Sequence, residues 1–120
     1  MADQTAGQTR VVSNDQATGQ IAAGKITYDG TAIVATDYTR VECGFQPRYI
    51  YWLNLTDGIT VEWHEGFTSA QCLKSVAAGD KTLDTTAAAV VVDKLGFRIL
   101  QNATLAAVLA NKVCYWRALG

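Results

Sequence analysis

The stretch Tyr49-Ile50-Tyr51-Trp52-Leu53-Asn54-Leu55-Thr56-Asp57-Gly58-Ile59-Thr60-Val61-Glu62-Trp63-His64-Glu65 decides the fold class. Aromatic and β-branched residues alternate with polar ones on both sides of Asp57-Gly58, the pattern of a β-hairpin. Two registers compete. A two-residue Asp57-Gly58 turn sets Trp52 opposite Trp63 but Leu53 opposite Glu62. A three-residue loop sets Leu55 by Ile59, Leu53 by Val61 and Tyr51 by Trp63 on one face. The other face then carries Asn54 with Thr60, Trp52 with Glu62, and Ile50 with His64. The second register separates apolar from polar better, and burial decides register. It also puts Gly58 at the left-handed position that such loops favour. This register predicts that Tyr51 and Trp63 face the core while Trp52 faces outward.

Short β-type runs continue on either side. Upstream are Ile26 to Tyr28, closed by Asp29-Gly30, then Thr31 to Ala35 and Thr39 to Cys43, with a break at Gly44-Phe45-Gln46-Pro47. Downstream are Lys81 to Thr85, Ala88 to Asp93 with its Val90-Val91-Val92 core, Phe97 to Leu100, and the alternating Val113 to Leu119. Residues 104–111 read either as one or two helical turns, since Ala and Leu favour helix, or as a loop or edge strand. About eight short strands at this spacing predict an all-β sandwich or barrel, with one domain over 21–120. Residues 1–20 are polar except for Val11-Val12 and read either as an N-terminal arm, flexible alone and ordered against a partner, or as a frayed terminus.

Composition narrows the function classes. The chain has 120 residues, 49% of them apolar and 18% charged, and a net charge of -1. The charged fraction is low for a soluble domain, which points to apolar surface used in contacts. No basic field exists to attract nucleic acid or an anionic membrane. No apolar run approaches the roughly 20 residues of a membrane span. The opening residues lack the basic and apolar regions of a secretion signal, so synthesis in a cytoplasm is expected. Cys43, Cys72 and Cys114 are odd in number and form no Cys-x-x-Cys, so they read as small buried thiols rather than a disulfide framework or metal site.

Little in the sequence carries chemistry. His64, the only histidine, has Glu62 and Glu65 nearby, and a general acid–base role is imaginable. The preferred reading is a solvent-side or interface histidine. The aspartates fall mostly at turns, where they cap backbone N–H groups. The glycines form neither a phosphate loop nor a dinucleotide fingerprint, and no Gly-x-Ser-x-Gly elbow occurs. No enzyme, cofactor or metal is expected.

A resemblance adds to this reading. The polar arm, then Gly44-Phe45-Gln46-Pro47-Arg48-Tyr49-Ile50, Asn54-x-Thr56-Asp57-Gly58, the Trp63 strand, Gly96-Phe97-Arg98-Ile99 and the closing Tyr115-Trp116-Arg117-Ala118 resemble small virion proteins of tailed bacteriophages. These are capsid decoration, or cement, proteins and related head-associated subunits. The resemblance runs over about Val41 to Gly120. It implies a jelly-roll-like antiparallel β-sandwich that binds the outer face of a major capsid protein shell as a dimer or trimer. No catalytic residue carries over. By position, Thr9, Arg10, Val11 and Val12 of the arm and the outward Trp52 are the expected partner contacts. The alternative is a tail- or fibre-associated module that binds a surface glycan through exposed Trp and Tyr.

Overall fold

The structure, a computed structural model, describes residues 3–4, 6–15, 20–68, 71–85 and 88–120, with 12–15 as backbone only. Described in chain order, the strands are β1 (Gln8–Asp15), β2 (Ile21–Tyr28), β3 (Tyr38–Glu42), β4 (Tyr49–Asn54), β5 (Ile59–His64), β6 (Cys72–Ser75), β7 (Lys81–Asp84), β8 (Val90–Asp93), β9 (Gly96–Leu100) and β10 (Val113–Leu119). Among the described residues there is no helix, so none is long and apolar enough to cross a membrane. One sheet has seven strands in the order β1-β2-β10-β4-β5-β6-β7, and the other has three in the order β3-β9-β8. All strand pairs are antiparallel. The chain is therefore all-β, with its sheets arranged as a sandwich. It crosses between sheets at β2-β3, β3-β4, β7-β8 and β9-β10. β4 to β7 instead run as a meander.

The core lies between the sheets. Ile50, Trp52 and Asn54 of β4, Val61 and Trp63 of β5, and Cys114, Trp116 and Ala118 of β10 are all buried on one face of the large sheet. From the small sheet Phe97 meets two of the three indoles, edge-on to Trp52 at 6.4 Å and to Trp116 at 5.7 Å between centroids. Such edge-to-face pairs add to the energy of area burial.

The hairpin is present but its register corrects the expectation. Trp52 pairs with Val61, Ile50 with Trp63, Leu53 with Thr60 and Asn54 with Ile59. The loop is Leu55 to Gly58, one residue longer than expected, and Gly58 does take the left-handed conformation at φ 69°. Slipping one residue turns every β4 side chain over. Val61 and Trp63 keep their buried side, but Trp52 is 0% exposed and Leu55 is 53% exposed. Asn54 is the reason. Its amide donates to Asp57 Oδ2 at 3.0 Å and to Ala106 O at 3.1 Å, and its Oδ1 accepts from Asp57 N at 3.2 Å. A polar group with its hydrogen bonds made can be buried, so the Asn54 face goes inward with Ile50 and Trp52.

Other expectations also change. Gln8–Asp15 is not a free arm; it is the edge strand of the large sheet, paired along its length with β2. Residues 31–35 are not a strand. They turn, with Asp37 N donating to Val34 O, and the Gln4 side chain bonds Ala32 O and Val34 N. β6 was not expected; Cys72 is its one buried residue. Residues 104–111 form a loop, with positive φ at Ala106 and Asn111. Leu105, Ala107 and Val108 of this loop are buried against the core. Trp52 Nε1 donates to Ala107 O at 2.9 Å and the Cys114 thiol to the same oxygen at 3.4 Å.

A buried polar chain links the sheets. Thr39 Oγ1 donates to Gln101 Oε1 at 3.1 Å, so the Tyr28 hydroxyl, 3.0 Å from Thr39 Oγ1, is the donor to Thr39. Gln101 Nε2 passes the chain on to Gln4 Oε1 at 2.8 Å. Burial raises the Tyr28 pKa well above the ordinary phenol value, so this hydroxyl stays a donor.

Gly96 opens β9 opposite Glu42. A Cβ there would stand 2.0 Å from Val41 O and 3.0 Å from Glu42 Cα, both backbone. Gly96→Ala should therefore push β3 and β9 apart and destabilise by about 3 kcal/mol. A urea denaturation midpoint within error of wild type would show that the strands have room to give.

Candidate binding surface

Because one face of the large sheet packs on β3, β9 and β8, its other face lies outside. The register fixes what that face carries. Arg117 stands opposite Tyr51, Tyr115 opposite Leu53 and Leu119 opposite Tyr49 across β10 and β4. Lys25 stands opposite Tyr115 and Val11 opposite Lys25 as the face continues through β2 and β1. On the far side Glu62 meets Tyr51 and Leu73, and Leu73 meets Leu83. Val11 is 57%, Leu83 49% and Tyr115 39% exposed. Among the described residues no second layer covers them.

The basic groups lie over the rings. The Arg117 guanidinium sits 5.4 Å from the centre of Tyr51 and the Lys25 ammonium 5.9 Å from the centre of Tyr115. At exposed sites each such contact contributes on the order of 0.5–1 kcal/mol. Tyrosine and arginine are the residues that concentrate energy in protein interfaces, with aliphatic surface between them. At the β5 end, His64 lies between Tyr49 at 4.9 Å and Phe67 at 5.4 Å. The neighbouring carboxylate, Glu62, accepts from Tyr49 OH at 3.4 Å.

The residues expected to touch a partner are scattered by the fold. Thr9 and Val11 are exposed on β1. Arg10 points the other way, to the mouth of the sandwich, where it pairs with Asp3 at 2.9 Å and donates to Arg40 O at 2.9 Å. The backbone of Val12 lies in β1 and its side chain is outside the described residues. Trp52 is removed from the contact set, since a fully buried indole cannot meet a partner. Sequence reasoning missed Tyr51, Tyr115 and Arg117. The outward alternation Tyr115-Arg117-Leu119 was legible in the closing strand, but pairing it with Tyr51 needed the long-range register.

Two recesses lie away from this face. A crevice of about 210 Å³ is lined by Asp3, Arg10, Ile26, Arg40, Val41 and Trp116. A polar groove of about 570 Å³ is lined by Gln20, Phe45, Gln46, Arg48, Trp63 and Glu65, among others. Trp63 Nε1 is buried there without a hydrogen-bond partner. The described residues contain no group of three or more His, Cys, Asp or Glu placed to hold a metal ion. Burial pushes the Cys72 thiol up to about 11 and the Cys114 thiol up to about 12. Both stay protonated at neutral pH and are poor nucleophiles.

No family model matches this chain, and neither a curated protein nor a solved structure matches it.

Proposed function

We propose that this chain is a structural virion subunit of the capsid-decoration kind, docking on the outer surface of a shell of major capsid protein. The observation that carries the reading is the uncovered face of the seven-stranded sheet, where Tyr51, Arg117, Tyr115 and Lys25 stand among Leu53, Leu73 and Leu83. The sequence resemblance supplies the partner class. An uncovered β face carrying aromatic and basic anchors suits contact with another protein surface, and the reading includes no catalytic step. A net charge of -1 keeps mutual repulsion low when many copies crowd one shell. Repetition on a symmetric lattice multiplies modest single-site affinity.

The test is co-sedimentation with assembled shells, with unassembled capsid subunits as the comparison. Wild type should pellet with shells. Tyr51→Ala combined with Arg117→Ala should weaken binding about 30-fold, the equivalent of roughly 2 kcal/mol at a hot spot, and leave the fold intact. Wild type that stays in the supernatant would remove the decoration reading. Binding by the double variant equal to wild type would remove this face as its surface.

A second reading, a tail- or fibre-associated glycan-binding module, is favoured by the polar groove beside Trp63, where Gln20, Gln46, Arg48 and Glu65 could bond sugar hydroxyls. Glycan binding that is lost on Gln46→Ala and Arg48→Ala, without any shell binding by wild type, would select it.

A further inference from the structure

Among the described residues the outer backbone edge of strand β1 is unpaired, and its bonding pattern can be read from the sheet. In an antiparallel pair, alternate residues turn both N–H and C=O to the neighbouring strand, and the residues between turn theirs away. Asp29 N donates to Gly7 O at 2.7 Å. That bond is in line with the register Gln8↔Tyr28 and Thr9↔Thr27. Thr9, Val11, Ser13 and Asp15 therefore bond to β2, while Gln8, Arg10, Val12 and Asn14 turn their backbone groups to the open side. The other flank of β2 agrees: Tyr28 N donates to Lys112 O, so even-numbered residues of β2 serve β10 and odd-numbered ones serve β1. Among the described residues, none bonds the outward backbone groups of Gln8, Arg10, Val12 or Asn14.

Proteins normally blunt such edges with short strands, outward lysine, proline or a bulge. The opposite edge of this sheet, β7, is four residues long and opens on Lys81. β1 is eight residues long, has neither lysine nor proline, and keeps register with β2 throughout. Its one cation, Arg10, is ion-paired with Asp3 at the sandwich mouth.

We propose that β1 pairs antiparallel with β1 of a second copy of this chain, about a two-fold axis at Val11. The free groups belong to even-numbered residues, so the bonded partners across the axis must both be even-numbered. That rules out every register with an odd-numbered residue opposite an even-numbered one, Val11 opposite Val12 among them. An axis at Arg10 would set guanidinium against guanidinium. An axis at Val12 would leave the exposed Val11 facing Ser13. The axis at Val11 sets Val11 against its mate at a non-bonded position, where side chains approach most closely. It also sets Thr9 against Ser13, and the bonded pairs are Gln8 with Asn14 and Arg10 with Val12. No like charges oppose each other, and the net charge of -1 per chain adds little repulsion. The two outer faces then join into one continuous sheet surface. The pairing is independent of what that surface docks on.

Three measurements test this on the full chain, with no shell present. Sedimentation velocity should give twice the 12.9 kDa chain mass. Val11→Cys should form a covalent dimer under mild oxidation, because the native cysteines are all buried and the two-fold brings its thiol against its own mate. Thr9→Cys should not, because its mate lies too far away. Val12→Pro removes an outward N–H and leaves every β1–β2 bond intact, so it should give a folded monomer with an unchanged near-ultraviolet spectrum. A monomeric wild type overturns the proposal. So does a Val12→Pro dimer, or equal cross-linking by Thr9→Cys and Val11→Cys.

Discussion

Trp52→Ala is expected to lower the free energy of unfolding by about 4 kcal/mol, a large part of what a domain of this size has. The indole is 0% exposed and packs edge-on against Phe97, so truncation leaves a cavity between the two sheets. It also removes the Nε1 donor to Ala107 O, which secures the loop bearing Leu105, Ala107 and Val108. Trp52→Phe separates the two effects. It keeps most of the packing and loses the hydrogen bond, and should cost about 1–2 kcal/mol. Urea denaturation of both variants measures the difference. The outward placement that the sequence pattern suggests makes the opposite forecast. An exposed Trp52 replaced by Ala would change stability by under about 0.5 kcal/mol and weaken only partner binding. A midpoint shift of that size would mean the hairpin has the other register.

The fate of Trp52 shows what was legible and what was not. Alternation alone placed Val61 and Trp63 correctly on the buried side of β5, because both neighbours of each are polar. It also placed Gly58, whose left-handed backbone a side chain would resist. In β4 the same logic failed at Asn54. A polar residue was taken as outward, but its amide is bonded by Asp57 and by Ala106, the latter 52 residues downstream. No local pattern reveals that distant acceptor. Residues 1–20 were read as an arm because they are polar except for Val11-Val12; within them Gln8–Asp15 is an edge strand held by backbone bonds to β2, which composition does not report. At Gly96 it is close approach by the Val41 carbonyl that excludes a side chain, a contact that no local pattern reports. The candidate surface was hidden for a related reason. Tyr51 and Arg117 are far apart in sequence and meet only through the β4–β10 pairing.

Val61→Asp tests the buried side of the hairpin by charge, and its pH dependence distinguishes burial from rescue. Val61 is 1% exposed and lies between Trp52 on β4 and Lys74 on β6. An unpaired carboxylate there should destabilise by several kcal/mol at neutral pH. Lys74 is the one cation beside it in the sheet, but its ammonium donates to Thr104 O at 2.7 Å. With that ammonium engaged, burial raises the introduced carboxyl's folded-state pKa above its unfolded value of about 3.9. The folded state then binds the proton more tightly, so the deficit relative to wild type shrinks as pH falls from neutral towards about 4. If Lys74 instead leaves Thr104 to pair with the carboxylate, the folded-state pKa falls and the sign reverses. The deficit would then grow as pH falls through the unfolded value. Chemical denaturation of wild type and variant across that pH range gives the slope directly. A shrinking deficit supports a dry, closed inner face at Val61, and a growing one shows that β6 opens to let a charge pair form.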